Sequence, residues 1–111
     1  MQLRPIELHV LLSLLKEPMH GYGIVKDIRD RQEGRMSLEP GNLYRVLRRL
    51  LDAGLIERAE HSAERPADDD RRRYYGATAQ GRAAVQEEMS RMRALLGHAE
   101  ARLAGGRGSD A

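Results

Sequence analysis

Leu38-Glu39-Pro40-Gly41-Asn42-Leu43-Tyr44-Arg45-Val46-Leu47-Arg48-Arg49-Leu50-Leu51-Asp52-Ala53-Gly54 is the stretch on which the fold turns. Leu43, Val46, Leu47, Leu50 and Leu51 recur at helical spacing, which predicts a helix from near Pro40 to near Ala53 with one buried stripe. Gly54 is well placed as a left-handed cap. Removing the stripe leaves Asn42, Tyr44, Arg45, Arg48, Arg49 and Asp52 facing outward. An outward face of this kind is equipped to touch nucleic acid: Asn can pair bidentately with adenine, Arg with guanine, and Tyr and Arg can hold phosphates. Asp52 reads as ordinary solvated surface and Arg49 fits either role. Arg45 and Arg48 read as contacts to DNA.

Working outward, the upstream chain predicts two more helices. Pro5 to Lys16 begins with a proline suited to the first helical position and is stopped by Glu17-Pro18. It has two apolar stripes, Leu8, Leu11, Leu12 and Leu15 and then Ile6, Val10 and Leu14, so it needs cover on two sides. Gly21 to Gln32 places Gly21, Ile24, Val25 and Ile28 inward, and Gly34 closes it, opening a short turn to Leu38. Downstream the period changes. Leu55 to His61 and Arg71 to Ala77 read as short strands joined by the polar segment Ser62 to Asp70, a β-hairpin or wing. Thr78 then caps a helix reaching about Leu103, and 104–111 reads as a Gly-rich disordered tail. The plan is mainly α with a small β-hairpin wing: a winged helix-turn-helix over 1–78 and a C-terminal dimerisation helix over 79–103. In such domains the second helix of the pair enters the major groove.

The 111 residues carry 19 Lys+Arg against 17 Asp+Glu, so binding to nucleic acid must come from where charges sit, not from net charge. Only Lys16 and Lys26 are lysines, and arginine supplies the fork-shaped donors suited to phosphate and guanine. The absence of cysteine excludes disulfides, thiolate chemistry and cysteine-ligated zinc. His9, His20, His61 and His98 show no metal-ligand spacing, and neither metal nor cofactor is expected. No apolar run spans a membrane and no signal pattern opens the chain, so a cytoplasmic protein is expected.

In the last helix, Val85, Met89, Met92, Leu96, Ala99 and Leu103 step four, three, four, three, four. That is a heptad seam of fewer than three repeats, too short to stand alone. It can cover the spare stripe of the first helix, on its own or the partner subunit, and bury the rest against its twin. A homodimer would set two recognition helices about 34 Å apart, one DNA turn, to read a palindromic operator.

The order of residues resembles the PadR-like transcriptional regulators across nearly all of 3–103. The resemblance rests on His20-Gly21-Tyr22-Gly23, on Leu38 to Leu47, on Leu50 with Gly54-Leu55-Ile56, and on Arg73-Tyr74-Tyr75 with Thr78 and Gly81. It implies a dimeric repressor, of a kind that small phenolic or drug-like molecules release in some members. Pro40, Gly41, Leu43 and Tyr44 match the family's recognition-helix signature, which implies Tyr44 on the DNA backbone. Asn42 stands where Thr or Ser is common. In the wing, Arg72 and Arg73 are candidate contacts. The preceding Asp68-Asp69-Asp70 would be repelled by phosphates, so the acids either pair with these arginines or point away. Gly21 is expected to permit close approach at the start of the second helix and Tyr22 to pack its ring there. His20 either caps that helix or lies near the DNA backbone.

Two rival readings fit the sequence less well. An enzyme lacks support, because no cysteine, phosphate loop, metal cluster or serine motif is present. A winged-helix scaffold that binds only protein would have no reason to carry Arg45 and Arg48 beside Tyr44. Scarce aromatics argue against a flat aromatic drug site between subunits and leave a Met- and Leu-lined cavity for a small hydrophobic effector.

Overall fold

Pro5 opens the first helix, α1 (Pro5–Lys16), where the Arg4 backbone N–H donates to Glu7 Oε1 at 2.7 Å and so satisfies one of the donors a helix start leaves open. The computed structural model describes residues 2–35, 38–60 and 73–109, the last four by backbone alone. After α1 come β1 (Met19–His20), α2 (Gly21–Arg31), α3 (Pro40–Asp52), β2 (Ile56–Ala59), β3 (Tyr74–Ala77) and α4 (Ala79–Ser109). The strands form one antiparallel sheet in the order β1-β3-β2, with Met19 opposite Tyr75 and Ile56 opposite Ala77. The core is built from Val10, Leu11 and Leu14 of α1, Ile24 and Ile28 of α2, Leu43, Leu47 and Leu50 of α3, with Leu55, Ile56 and Tyr75 beside them.

Both helix ends of the helix-turn-helix close by the same device. After α3, Gly54 N–H bonds to Leu51 C=O and Leu55 N–H to Leu50 C=O, with Gly54 at φ +76°. This is a Schellman closure, and the left-handed residue it needs is glycine. After α2 the same two bonds run from Glu33 to Asp30 and from Gly34 to Arg29. Here Glu33, at φ +52°, takes the left-handed position, one residue before the glycine that the sequence favoured as the stop. A side chain in that region costs about 1 kcal/mol. Glu33→Gly is therefore expected to raise the urea midpoint by an amount worth about 0.5–1 kcal/mol; unchanged or lower stability would refute the strain. The Glu33–Arg35 pair it removes, 3.9 Å and largely exposed, is worth little.

Between α1 and α2 lies a polar cluster that hydrophobic periodicity does not reveal. Ser13, fully buried, donates to Asp27 Oδ2 at 2.7 Å and accepts from Arg31 Nη2 at 2.8 Å. The same guanidinium reaches the His9 carbonyl at 3.0 Å and His9 Nδ1 at 3.4 Å. Arginine has no acceptor, so this His9 nitrogen is the unprotonated one. Burial, and then the Arg31 charge, hold the His9 pKa below its ordinary value.

The structure corrects several sequence expectations. β1 was not foreseen: two residues between Pro18 and Gly21 are too few to show alternation. The two wing strands are four residues each, not seven. β2 starts at Ile56 because the Leu55 N–H closes α3 on Leu50, while its C=O accepts Thr78 N–H at 3.1 Å in the register of the β2–β3 ladder. The wing segment 61–72, with Asp68, Asp69, Asp70 and Arg72, lies outside the described residues, as do 110 and 111. α4 runs to Ser109, so 104–109, expected as tail, is helical. Extending an existing helix adds a hydrogen bond per residue without a new nucleus. Val85, placed on the dimer seam from spacing, is 2 % exposed and belongs to the domain core. The heptad phase is continuous, but its first member is consumed by packing within the chain.

Beyond Glu88 every side chain of α4 described is exposed, Met89, Met92, Leu95, Leu96 and Leu103 included. Leu12 on α1 is exposed too, while Leu8 and Leu15 beside it are half-buried. No helix of the described residues is long and apolar enough to cross a membrane.

Candidate nucleic-acid interface

α3 presents two faces. Leu43, Leu47 and Leu50 are buried, and Gly41, Asn42, Tyr44, Arg45, Arg48, Arg49 and Asp52 are exposed, as the stripe predicted. Pro40 occupies the first turn and Glu39, the cap residue, makes no side-chain hydrogen bond to it. The start of the helix thus offers backbone N–H groups and the positive end of its dipole outward, a setting suited to an anion.

Arg45 Nη2 donates to Asn42 Oδ1 at 2.9 Å, which ties the two candidate base readers together on the exposed first turns of α3. Asn42 Oδ1 has a second lone pair and its amide two N–H donors, so the pair can meet a base as a unit. Tyr44 stands 59 % exposed, with its hydroxyl over Gly21 of α2. A Cβ on Gly21 would sit 3.1 Å from Leu43 Cδ2 and 3.6 Å from Tyr44 Oη. The expected close approach at Gly21 therefore seats both a core leucine and the tyrosine of α3.

Other residues fall differently. Arg49 turns toward α1, where its Nε is 3.3 Å from Oε2 of the buried Glu7. It ties α3 to α1 instead of extending the outward face. His20 is buried and caps α2, its Nδ1 accepting the Gly23 N–H at 3.1 Å, with the Tyr74 ring edge-on at 5.3 Å. Tyr22, expected to pack its ring at the start of α2, lies there nearly parallel to the ring of His20 at 6.3 Å and is 66 % exposed. Arg72 lies outside the described residues.

An open groove runs between α3 and the sheet. It is lined by Tyr44, Arg45 and Arg48 from α3, Arg58 from β2, Arg73 just before β3, and Tyr75 on β3. Arg73, a candidate wing contact, lines this groove with the α3 residues. Arg58 was missed, although a period-two reading of Ile56-Glu57-Arg58-Ala59 places it on the same face as the buried Ile56. Among the described residues, no group of three or more His, Asp or Glu side chains is placed to hold a metal.

Comparison with known proteins agrees with this architecture. Residues 10–87 match the model of the transcriptional regulator PadR-like family. A curated relative, Transcriptional regulator Rv3488 of Mycobacterium tuberculosis, is 36 % identical over 83 residues, covering 75 % of this chain and 71 % of its own. A PadR family transcription regulator of Clostridium difficile R20291 superposes with TM-score 0.70 at 22 % identity, over 88 % of this chain and 97 % of that one. Bacillus subtilis PadR, solved in complex with operator DNA, gives TM-score 0.63 at 20 % identity, over 78 % of this chain and 47 % of its own. The chain is a winged-helix protein of the transcriptional-regulator class, not an enzyme. It belongs to the PadR-like family.

Proposed function

We propose that this protein is a homodimeric repressor that binds a palindromic operator in the cytoplasm through α3 and the wing. The observation that carries the reading is the outward face of α3, where Asn42, Tyr44, Arg45 and Arg48 are exposed while the intervening leucines are buried. Bacillus subtilis PadR, similar in fold, was solved with operator DNA, which supports the same use here. Pro40 and Gly41 open α3 toward the backbone phosphates, Tyr44 holds one of them, and the Asn42–Arg45 pair meets base edges. The exposed Met and Leu side chains of α4 are the surface for the second copy. Flexible methionines closing on one another leave adaptable apolar space there for a small hydrophobic effector. A pure scaffold would not need the cationic face.

Arg45→Ala tests this reading. The side chain is exposed and outside the buried stripe, so circular dichroism should match wild type. If the residue reads guanine, affinity for a duplex enriched from a random pool should fall by about 1–3 kcal/mol and preference should relax at one base pair of each half-site. Unchanged affinity on both the enriched and a scrambled duplex would turn α3 away from DNA and favour the scaffold.

A further inference from the structure

We infer that the groove between α3 and the sheet is a clamp for one backbone phosphate, and that Arg58 of β2 is its strand-borne jaw. This rests on the DNA-binding reading above and adds a residue and a role that the recognition-helix signature does not contain.

The argument begins with register. Arg58 is the cross-strand partner of Tyr75, and directly opposed residues on an antiparallel pair point to the same face. Tyr75 is buried toward the core, so Arg58 shares its face and both line the groove beside α3. Arg73, two residues before Tyr75, has the same parity and stands diagonal to Arg58, within reach of a long side chain. Glu57 is opposite Gly76 and takes the other face, away from the groove. Across the groove, Arg45 and Arg48 lie three apart on α3 and are neighbours on one helix face.

Charge then decides the ligand. The whole chain is nearly balanced at a net +2, yet four guanidinium groups line this groove and no described Asp or Glu lines it with them. Among the described residues, Arg48, Arg58 and Arg73 make no ion pair, so no carboxylate neutralises them. Like charges placed together on one sheet face and one helix face oppose folding unless an anion joins them. The guanidinium fork matches a phosphodiester, and the Tyr44 and Tyr75 side chains share the lining. With α3 in the major groove, the anion at its flank is the phosphate of the bordering strand.

The test is a titration of the full chain by fluorescence anisotropy on an enriched duplex and on a scrambled one, at several salt concentrations from about 50 to 200 mM. Arg58→Gln should weaken both duplexes by the same factor, about 3- to 30-fold at the lower salt, and reduce the salt slope by about 0.9, the value for one phosphate. Arg58→Lys, which keeps the charge without the fork, should restore the slope and only part of the affinity. Arg93→Gln, removing the same charge from the exposed part of α4, should leave the slope unchanged. An unaltered slope in Arg58→Gln overturns the clamp, and so does a loss confined to the enriched duplex, which would mean base contact. An equal fall in Arg93→Gln would assign the effect to bulk charge and overturn it too. If wild type binds neither duplex, the DNA-binding reading itself fails, an outcome distinct from the others.

Discussion

Gly81→Ala is expected to lower stability by about 3 kcal/mol or more, roughly 12–20 °C in melting temperature for a domain of this size. A Cβ at this position would fall inside the van der Waals envelope of the Leu55 carbonyl oxygen, 3.1 Å from its carbon and 3.3 Å from Leu11 Cδ2. The obstacle is backbone, so no rotamer relieves it. Nor can the carbonyl retreat easily. Leu55 N–H closes α3 on Leu50, Leu55 C=O accepts Thr78 N–H, and Thr78 Oγ1 donates to Gly54 C=O at 2.7 Å while accepting Gly81 N–H at 3.0 Å. Moving α4 outward breaks one or more of these bonds, each worth about 1 kcal/mol, and uncovers Val85. Gly97, farther along the same helix, has nothing within 4 Å of its own Cβ position. Gly97→Ala should therefore be neutral or stabilising by up to about 1 kcal/mol. Thermal and urea denaturation of the two variants would check the contrast, and a Gly81→Ala protein as stable as wild type would refute it. The same joint fixes the direction in which α4 leaves the winged domain, and in the proposed dimer it would set the separation of the two α3 helices.

How much of this was readable beforehand depended on the range of the interaction that decides each feature. α1, α2 and α3 are set by local apolar spacing and by Pro5, Pro40 and Gly54, and their limits were placed within a residue or so. β1 is defined by pairing with β3, Met19 lying opposite Tyr75, far along the chain, so no local pattern marks it. Ser13, Asp27, Arg31 and His9 look in sequence like scattered polar residues on two helices. Their cluster exists because α1 and α2 pack at one particular rotation. Glu33 at a left-handed position was likewise hidden, since the adjacent Gly34 is the residue that chemistry prefers there.

For the site, residues whose role follows from their own helix were legible and those set by tertiary partners were not. The outward set Asn42, Tyr44, Arg45 and Arg48 followed from subtracting the leucine stripe. Arg49 sits on the exposed side by the same subtraction, yet the buried Glu7 draws it to α1. A lone carboxylate at the third position of α1 gave no sign of needing a distant arginine. Alternation puts Arg58 on the face of Ile56, but only the register to Tyr75 shows that this face meets the groove beside α3.

The α4 surface leads to the remaining large effect. Met89→Asp combined with Leu96→Asp is expected to convert the protein to a monomer, with the dimer dissociation constant raised by at least about 1000-fold, or ~4 kcal/mol. In the lone subunit these side chains are 41 % and 58 % exposed, so the substitutions leave its core intact up to Val85. Their exposure, with Met92, Leu95 and Leu103, makes an apolar surface along a helix that no described residue covers, and such a helix gains most of its stability from a partner. Leu95 lies beside the strict heptad seam, which broadens the stripe beyond what one twin helix would bury. In the proposed dimer, the exposed Leu12 of α1, on the same or the partner subunit, would supply the second surface the width calls for. In a symmetric dimer the double variant would put four carboxylates into that interface, each costing several kcal/mol unless it escapes to water. Sedimentation equilibrium would report the mass, and circular dichroism with a thermal transition would show the winged domain still folded. A folded dimer of wild-type affinity would mean that the stripe faces solvent. A folded monomer should also lose operator affinity by more than about 100-fold, because two half-sites joined through one protein bind with an effective concentration that separate subunits lack.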